Sequence, residues 1–222
     1  MGWLCTRYSF SFAEYHDASR MGFGVLRVIN DDVIEGGKGF EMHPHRNMEI
    51  VTIVTDGTLK HEDSEGHKGI IKAGEIQYMS AGKGIFHSEY NAAHTEAVKL
   101  LQVWILPREK GGMPCYDQRT FTDQEDATQV FLISPDGRNG SIAIKQDAFI
   151  SLVTLQAGEE MLCVPIMPGH GRLFFVLDGE VMIDGEILHV RDEGQLIGEK
   201  DVMIRGIKKT KILVFEVPMV NV

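Results

Sequence analysis

The chain has 222 residues, of which 43% are hydrophobic and 24% charged, with a formal net charge of −10. This balance excludes a disordered chain, and the acidic charge argues against direct binding of nucleic acid or of anionic lipid surfaces. No apolar run reaches the ~18 residues of a membrane span, and the N-terminus has no basic stretch leading into an apolar one.

Cys5, Cys115 and Cys163 are odd in number and far apart. A disulfide framework and a cysteine-type zinc site are therefore not expected, and a reducing, cytoplasmic location is. Along the chain, short strands follow one another. Glu49 to Val54, Ile70 to Lys72, Ile76 to Met79 and Val98 to Leu106 are rich in β-branched and apolar residues and bounded by turn signals. Asp56-Gly57, Asp178-Gly179 and Asp184-Gly185 read as two-residue hairpin turns with positive φ at both central positions. The stretch Arg108 to Thr122, which holds Gly111-Gly112 and Pro114, reads as a linker. It separates a domain at 1–110 from one at 120–222.

The halves resemble each other. Val54-Thr55-Asp56-Gly57 matches Val176-Leu177-Asp178-Gly179 at an offset of 122, and Ala73-Gly74-Glu75-Ile76 faces Glu193-Gly194-Gln195-Leu196 at an offset of 120. Matched turns in matched strand contexts favour a repeat over chance similarity between hairpins. The expected architecture is all-β, with two β-barrel or jelly-roll domains packed together.

Chemistry concentrates in two clusters. In the first, Met42-His43-Pro44-His45-Arg46-Asn47-Met48-Glu49, alternation along a strand turns His43, His45 and Glu49 to one side. In the second, Gly84-Ile85-Phe86-His87-Ser88-Glu89-Tyr90-Asn91, His87 and Glu89 share a face. Three imidazoles and a carboxylate with open positions suit a borderline divalent metal. His61 and His67 flank the polar stretch Glu62 to Gly66 and read as the tip of a hairpin. His16, His94, His170 and His189 form no pattern.

The spacing Gly37, His43, His45, Glu49, Gly57 resembles the first cupin motif. Gly74, Ser80, Gly82, His87, Asn91 resembles the second, with Ser80 where cupins usually carry Pro and a longer spacing before the His. The string His43-Pro44-His45-Arg46, the run Ala73 to Glu89 and Leu101-Gln102-Val103-Trp104-Ile105 together resemble the pirin family. Phe23 to Asp32 is similar to bacterial pirin-like proteins associated with quercetin 2,3-dioxygenase activity. The resemblance implies a bicupin (two double-stranded β-helices) with metal only in the N-terminal one. Its ligands would be His43, His45, His87 and Glu89. General cupins would recruit Glu49 instead of Glu89; the intact His87-Ser88-Glu89 favours Glu89. Carrying the offset of 122 into the second half places Pro165 and Met167 opposite His43 and His45, and Gly206 to Lys211 opposite His87 and Glu89, so that half is expected to hold no metal.

The resemblance further implies a metal-dependent dioxygenase that opens the heterocycle of a flavonol such as quercetin with O2, releasing a depside and carbon monoxide. Its cofactor would be one divalent transition metal, Fe(II) ahead of Ni, Mn, Cu, Co or Zn. Glu89 would be the catalytic base, Met42, Ile53, Met79, Phe86 and Trp104 would line the pocket, and Gln102 would be a polar contact. The alternative is a redox-sensing module whose partner is a transcription regulator. The chain starts close to Gly2-Trp3, nearer than is usual in the family, so the cover of the pocket mouth is expected to differ.

Overall fold

Valine, isoleucine, leucine and phenylalanine alternate with polar residues over runs of four to nine positions, and each such run is extended in the computed structural model, which describes residues 2–121 and 128–219. Helix among the described residues is confined to a 3₁₀ turn at Arg138–Gly140. Contacts divide the chain into two compact units, Met1–Asp123 with Ile144–Gln146, and Gln124–Ala143 with Asp147–Val222.

In the first unit the strands are β1 (Leu4–Tyr8), β2 (Leu26–Ile34), β3 (Gly39–His45), β4 (Glu49–Asp56), β5 (Thr58–Asp63), β6 (Lys68–Lys72), β7 (Glu75–Ser80), β8 (Ile85–Asn91), β9 (Val98–Ile105) and β10 (Cys115–Thr120). They form a large sheet, β1-β2-β9-β4-β7-β10, and a small one, β3-β8-β5-β6. The second unit contains β11 (Gln129–Ser134), β12 (Ile142–Ala143), β13 (Phe149–Leu155), β14 (Glu160–Cys163), β15 (His170–Asp178), β16 (Glu180–Ile183), β17 (Glu186–His189), β18 (Glu193–Ile197), β19 (Val202–Gly206) and β20 (Thr210–Pro218). Its sheets are β12-β11-β13-β20-β15-β18 and β14-β19-β16-β17. The order β2-β9-β4-β7 thus answers to β13-β20-β15-β18, and β3-β8-β5-β6 to β14-β19-β16-β17. Each unit is a jelly roll of two facing sheets with open edges rather than a closed barrel.

The matched Asp-Gly pairs have a different role from the one their sequence suggests. Asp184 (φ 51°) and Gly185 (φ 88°) do form the expected hairpin turn, between β16 and β17. Asp56-Gly57 and Asp178-Gly179 do not, because only the glycines have positive φ, at 79° and 80°. Strand β4 pairs with β7 and β9, whereas β5 pairs with β6 and β8, so Gly57 is a corner at which the chain leaves one sheet for the other. Gly179 does the same between β15 and β16. The corners are tight: a Cβ on Gly57 would lie 2.9 Å from the Ala97 carbonyl oxygen, and one on Gly179 only 2.1 Å from that of Lys209.

The stretch expected to be a linker is partly structural. Residues 115 to 120 form β10, which pairs with β7 along the edge of the large sheet. Thr122 lies outside the described residues. On this edge the Gln118 amide donates to the Ile70 carbonyl on β6 (2.8 Å), bridging the two sheets. The opposite edges, β1 and β3, carry no such bridge in the described contacts, and the cavity of this unit opens there.

Inside the first unit the core is layered. One apolar cluster joins Ile34, Val54, Leu59, Ile71, Val98 and Leu100 across both sheets. A second gathers Ile50, Met79, Ala81 and Ile85. Between them runs a polar row in strict register across the large sheet: Asn30 lies opposite Gln102, Gln102 opposite Thr52, and Thr52 opposite Gln77. All four are buried.

The corner at Gly179 makes a direct prediction. Gly179→Ala should destabilise the second unit by at least about 1–2 kcal/mol, the ordinary cost of a left-handed backbone at a residue with a Cβ, before the contact with Lys209 is counted. A lower denaturant midpoint checks it, with Gly158→Ala, at φ 81° and with nothing within 4 Å of the added Cβ, as the uncrowded control.

Candidate metal centre

The polar layer is completed from the small sheet. Strand β3 runs antiparallel to β8 with a bulge between Phe40 and His43, which sets His43 directly opposite His87. Alternation then brings His45 to the same side as His43. The ring centroids of His43, His45 and His87 lie 4.4–4.8 Å apart in pairs. One nitrogen from each lies within 4.8 Å of the others, close enough for the three to hold one ion. His43 Nδ1 sits 2.7 Å from the Glu41 carbonyl oxygen. A proton on Nδ1 makes this a hydrogen bond and leaves Nε2 with a free lone pair.

His87 is 1% exposed, and neither of its ring nitrogens has a hydrogen-bond partner. Burial, helped by the neighbouring imidazoles, pushes its pKa down to about 2. Burial and His43 push His45 down to about 4. Both rings are therefore neutral at physiological pH, with lone pairs available. A partnerless buried imidazole in a group of three is what a cation ligand looks like without its ion.

Glu89 lies two residues beyond His87 on the same inner face. It falls in a second group with His61 and His87, whose ligand atoms are again within 4.8 Å of one another. Its carboxylate is anchored to the large sheet. Thr52 donates to Oε1 (3.1 Å) and Gln102 donates to Oε2. Burial raises its pKa to about 7, with Asp32 adding to the rise and the bonds from Thr52 and Gln102 opposing it. Glu89 thus stands beside the three histidines rather than among them, at the meeting point of both sheets.

Glu49 departs from the expected geometry. Asn47 takes a left-handed conformation (φ 51°), which breaks the alternation that His43 and His45 obey. Glu49 begins β4 on the other sheet and turns away from the histidines. Tyr78 donates to its Oε2 and Ser80 to its Oε1 (2.9 Å). This explains Ser80 in a position where the motif usually has Pro: its hydroxyl holds a buried carboxylate. Arg46 is not a partner of Glu49 among the described contacts.

His61 is also not the solvated tip that its flanking loop suggests. Leu59, His61 and Asp63 alternate inward along β5, and His61 is fully buried opposite Glu89. Its Nε2 lies 3.3 Å from Asp63, which also accepts from the His67 amide (3.0 Å). The alternation of Leu59, His61 and Asp63 was the available signal, obscured by the charged residues around it.

A cavity of about 620 Å³ opens onto the three histidines, Glu89, Gln102 and Trp104. Of the apolar residues expected to line it, only Trp104 does. Met42 and Phe86 are about half exposed, on the outer face of their strands, and Met79 and Ile53 are buried elsewhere in the core. The walls instead come from Tyr8, Phe12, Tyr15 and Phe40. Phe12 packs edge-on against Trp104 (5.2 Å), and Trp104 against His45 (4.8 Å). The segment from Leu4 to Tyr15 therefore covers the mouth.

Among the described residues the second unit offers no equivalent. Where His43 faces His87, register puts Cys163 opposite Val202; where His61 faces Glu89, it puts Ile183 opposite Ile204. Ile183 is the residue that a constant offset reaches from His61; Cys163, Val202 and Ile204 are not so reached, because the second half is two residues longer before the corner and seven shorter between the corner and β19. All four belong to one apolar cluster.

Two family models match the chain. The family model for Pirin matches residues 1–105, and that for the quercetinase C-terminal cupin domain matches residues 131–217. The chain is 43% identical over 222 residues to a quercetin 2,3-dioxygenase of Escherichia coli O157:H7, covering 99% of this chain and 94% of that one. It is 36% identical to a pirin-like protein of Caulobacter vibrioides, covering 97% and 93%. The crystal structure of the bacterial pirin YhhW from Escherichia coli in complex with nickel(II) superposes with a TM-score of 0.94 at 41% identity, covering 99% of this chain and 94% of that one.

Removing the carboxylate that the structure takes out of the histidine group separates its role from theirs. Glu49→Ala should leave the metal content of the purified protein unchanged. It should lower stability by about 1–3 kcal/mol for each hydroxyl left buried without an acceptor. Elemental analysis together with chemical denaturation reads both.

Proposed function

The chain belongs to the pirin family, and on that premise we propose that it is a metal-dependent dioxygenase of the quercetin 2,3-dioxygenase type. It would cleave the heterocycle of a flavonol with O2 to give a depside and carbon monoxide. The observation that carries this reading is the group of three imidazoles at the inner end of an aromatic-walled cavity of about 620 Å³, a size suited to a small planar ligand. The names of the 43% identical relative and of the nickel-bound structure support it.

In this reading His43, His45 and His87 would hold one divalent transition ion, and Glu89, which stands beside them and is grouped with His87, would complete the set as the fourth ligand. The donor set, nitrogen-rich with one carboxylate, accepts Fe(II), Ni(II), Mn(II) and their neighbours. When bound, the ion supplies Lewis acidity that lowers the pKa of a substrate hydroxyl. Glu89 accepts the proton from that hydroxyl. Thr52 and Gln102, donating to its two oxygens, fix the orientation of the carboxylate for this step. Tyr8, Phe12, Tyr15, Phe40 and Trp104 stack around the planar ligand and exclude bulk water.

The test uses protein loaded without oxygen with Fe(II), Ni(II) or Mn(II) and then mixed with quercetin in air. Metal-dependent loss of the flavonol absorbance is expected. Glu89→Gln should lower kcat by about 10²- to 10⁴-fold, the usual worth of a positioned base, while quercetin still binds. His87→Ala should lose the metal and all turnover. No turnover with any of the three metals overturns the reading.

A further inference from the structure

Facing the histidines across the cavity, the large sheet presents a second set of polar atoms that neither the cation nor Glu89 uses. Thr6 Oγ1, Asn30 Oδ1, Asp32 Oδ1 and Gln102 Oε1 are each buried without a hydrogen-bond partner, and all four residues line the cavity. Asp32 is 3% exposed, Asn30 5% and Gln102 7%. Their placement follows from register: Thr6 on β1 lies opposite Asp32 on β2, and Asn30 lies opposite Gln102 on β9.

The character of these atoms defines the ligand. Gln102 is oriented by its own bond, because Nε2 donates to Glu89 and the oxygen is left as the free end. Asn30 and Asp32 likewise present oxygens. Three acceptors and one hydroxyl therefore converge, and the Thr6 hydroxyl, opposite Asp32, offers one proton among three acceptors. The basic residue in this part of the sheet, Arg7, lies 3.7 Å from Asp31, whose side chain alternates to the other face. Burial raises the pKa of Asp32 to about 6, with the Thr6 hydroxyl opposing the rise and the charge of Asp31 adding to it. Buried acceptors lining a cavity are satisfied by a ligand that brings donors.

We propose that Asp32, with Asn30 and Thr6, recognises a phenolic hydroxyl of the substrate on the wall opposite the metal site, and so selects polyhydroxylated aromatics over bare ring systems. The proposal rests on the flavonol reading of the same pocket. The ligand would span it, with one oxygen toward the histidines and a ring hydroxyl donating to Asp32 Oδ1. The aromatic side chains between would grip the ring whether or not it carries hydroxyls, and would not distinguish the two.

The test measures binding rather than turnover. Metal-loaded protein is titrated without oxygen, by calorimetry, with quercetin and with 3-hydroxyflavone. The latter keeps the metal-directed 3-hydroxyl and keto oxygens but lacks the other ring hydroxyls. The wild type should bind quercetin at least tenfold more tightly. Asp32→Ala should bring that ratio close to one, through weaker quercetin binding, with the affinity for 3-hydroxyflavone and the metal content unchanged. The near-isosteric Asp32→Asn, which preserves the packing, should reduce the ratio in the same sense, and Asn30→Ala should do so independently. A ratio near one in the wild type, a ratio untouched by these substitutions, or no binding of either flavonol overturns the proposal. Selective, Asp32-dependent binding without any turnover in air supports it while overturning the dioxygenase chemistry.

Discussion

The first unit is organised around a side chain that ordinary folding would not leave as it is. His87 is an imidazole shut inside a β-sandwich with neither ring nitrogen hydrogen-bonded. A buried polar group without a partner costs about 1–3 kcal/mol, and a bond from any neighbouring hydroxyl or amide would remove that cost. None is supplied. The donors nearby, Thr52 and Gln102, are committed to Glu89, and the nearest rings are other histidines. The arrangement is consistent with a lone pair kept free for a cation, and the apolar clusters on either side keep the layer in place.

The second unit is a built-in comparison. It repeats the topology, including the glycine corner at which the chain changes sheets, yet closes the same positions with Cys163, Ile183, Val202 and Ile204. At these positions the jelly roll therefore has no need of polar side chains. The polar layer of the first unit is an addition to the fold, maintained by register: Asn30, Gln102, Thr52 and Gln77 lie side by side on four adjacent strands. A slip of one residue in any of these strands would turn its member of the row outward and an apolar neighbour inward.

What the sequence revealed follows from how local each feature is. Period-two alternation within a single strand was enough to put His43 with His45 and His87 with Glu89, and matched turns were enough to suggest two related halves. Alternation failed where the backbone leaves the extended region. At Asn47 one left-handed residue sends Glu49 to the other sheet, and nothing in the local pattern marks that. His61 was misjudged because charged neighbours disguised a strand as a loop tip. The cavity wall was missed for another reason. Tyr8, Phe12, Tyr15, Asn30 and Asp32 reach the pocket through pairing between strands distant in sequence from the histidine motifs, information that spacing alone does not carry.

The roof over the cavity has its own consequence. Leu4 to Tyr15 comes from an edge strand and the loop after it, whereas His87 stands on β8, held between β3 and β5, and His43 and His45 on β3 are fixed by their register against β8. A loop tolerates change that a strand holding a register does not, since fewer neighbours depend on it. The division of labour lets inheritance act on the two parts separately. Substitutions between Leu4 and Tyr15 can reshape the mouth of the cavity while the histidine group keeps its geometry, so chains of common descent can differ at the entrance around an unchanged interior.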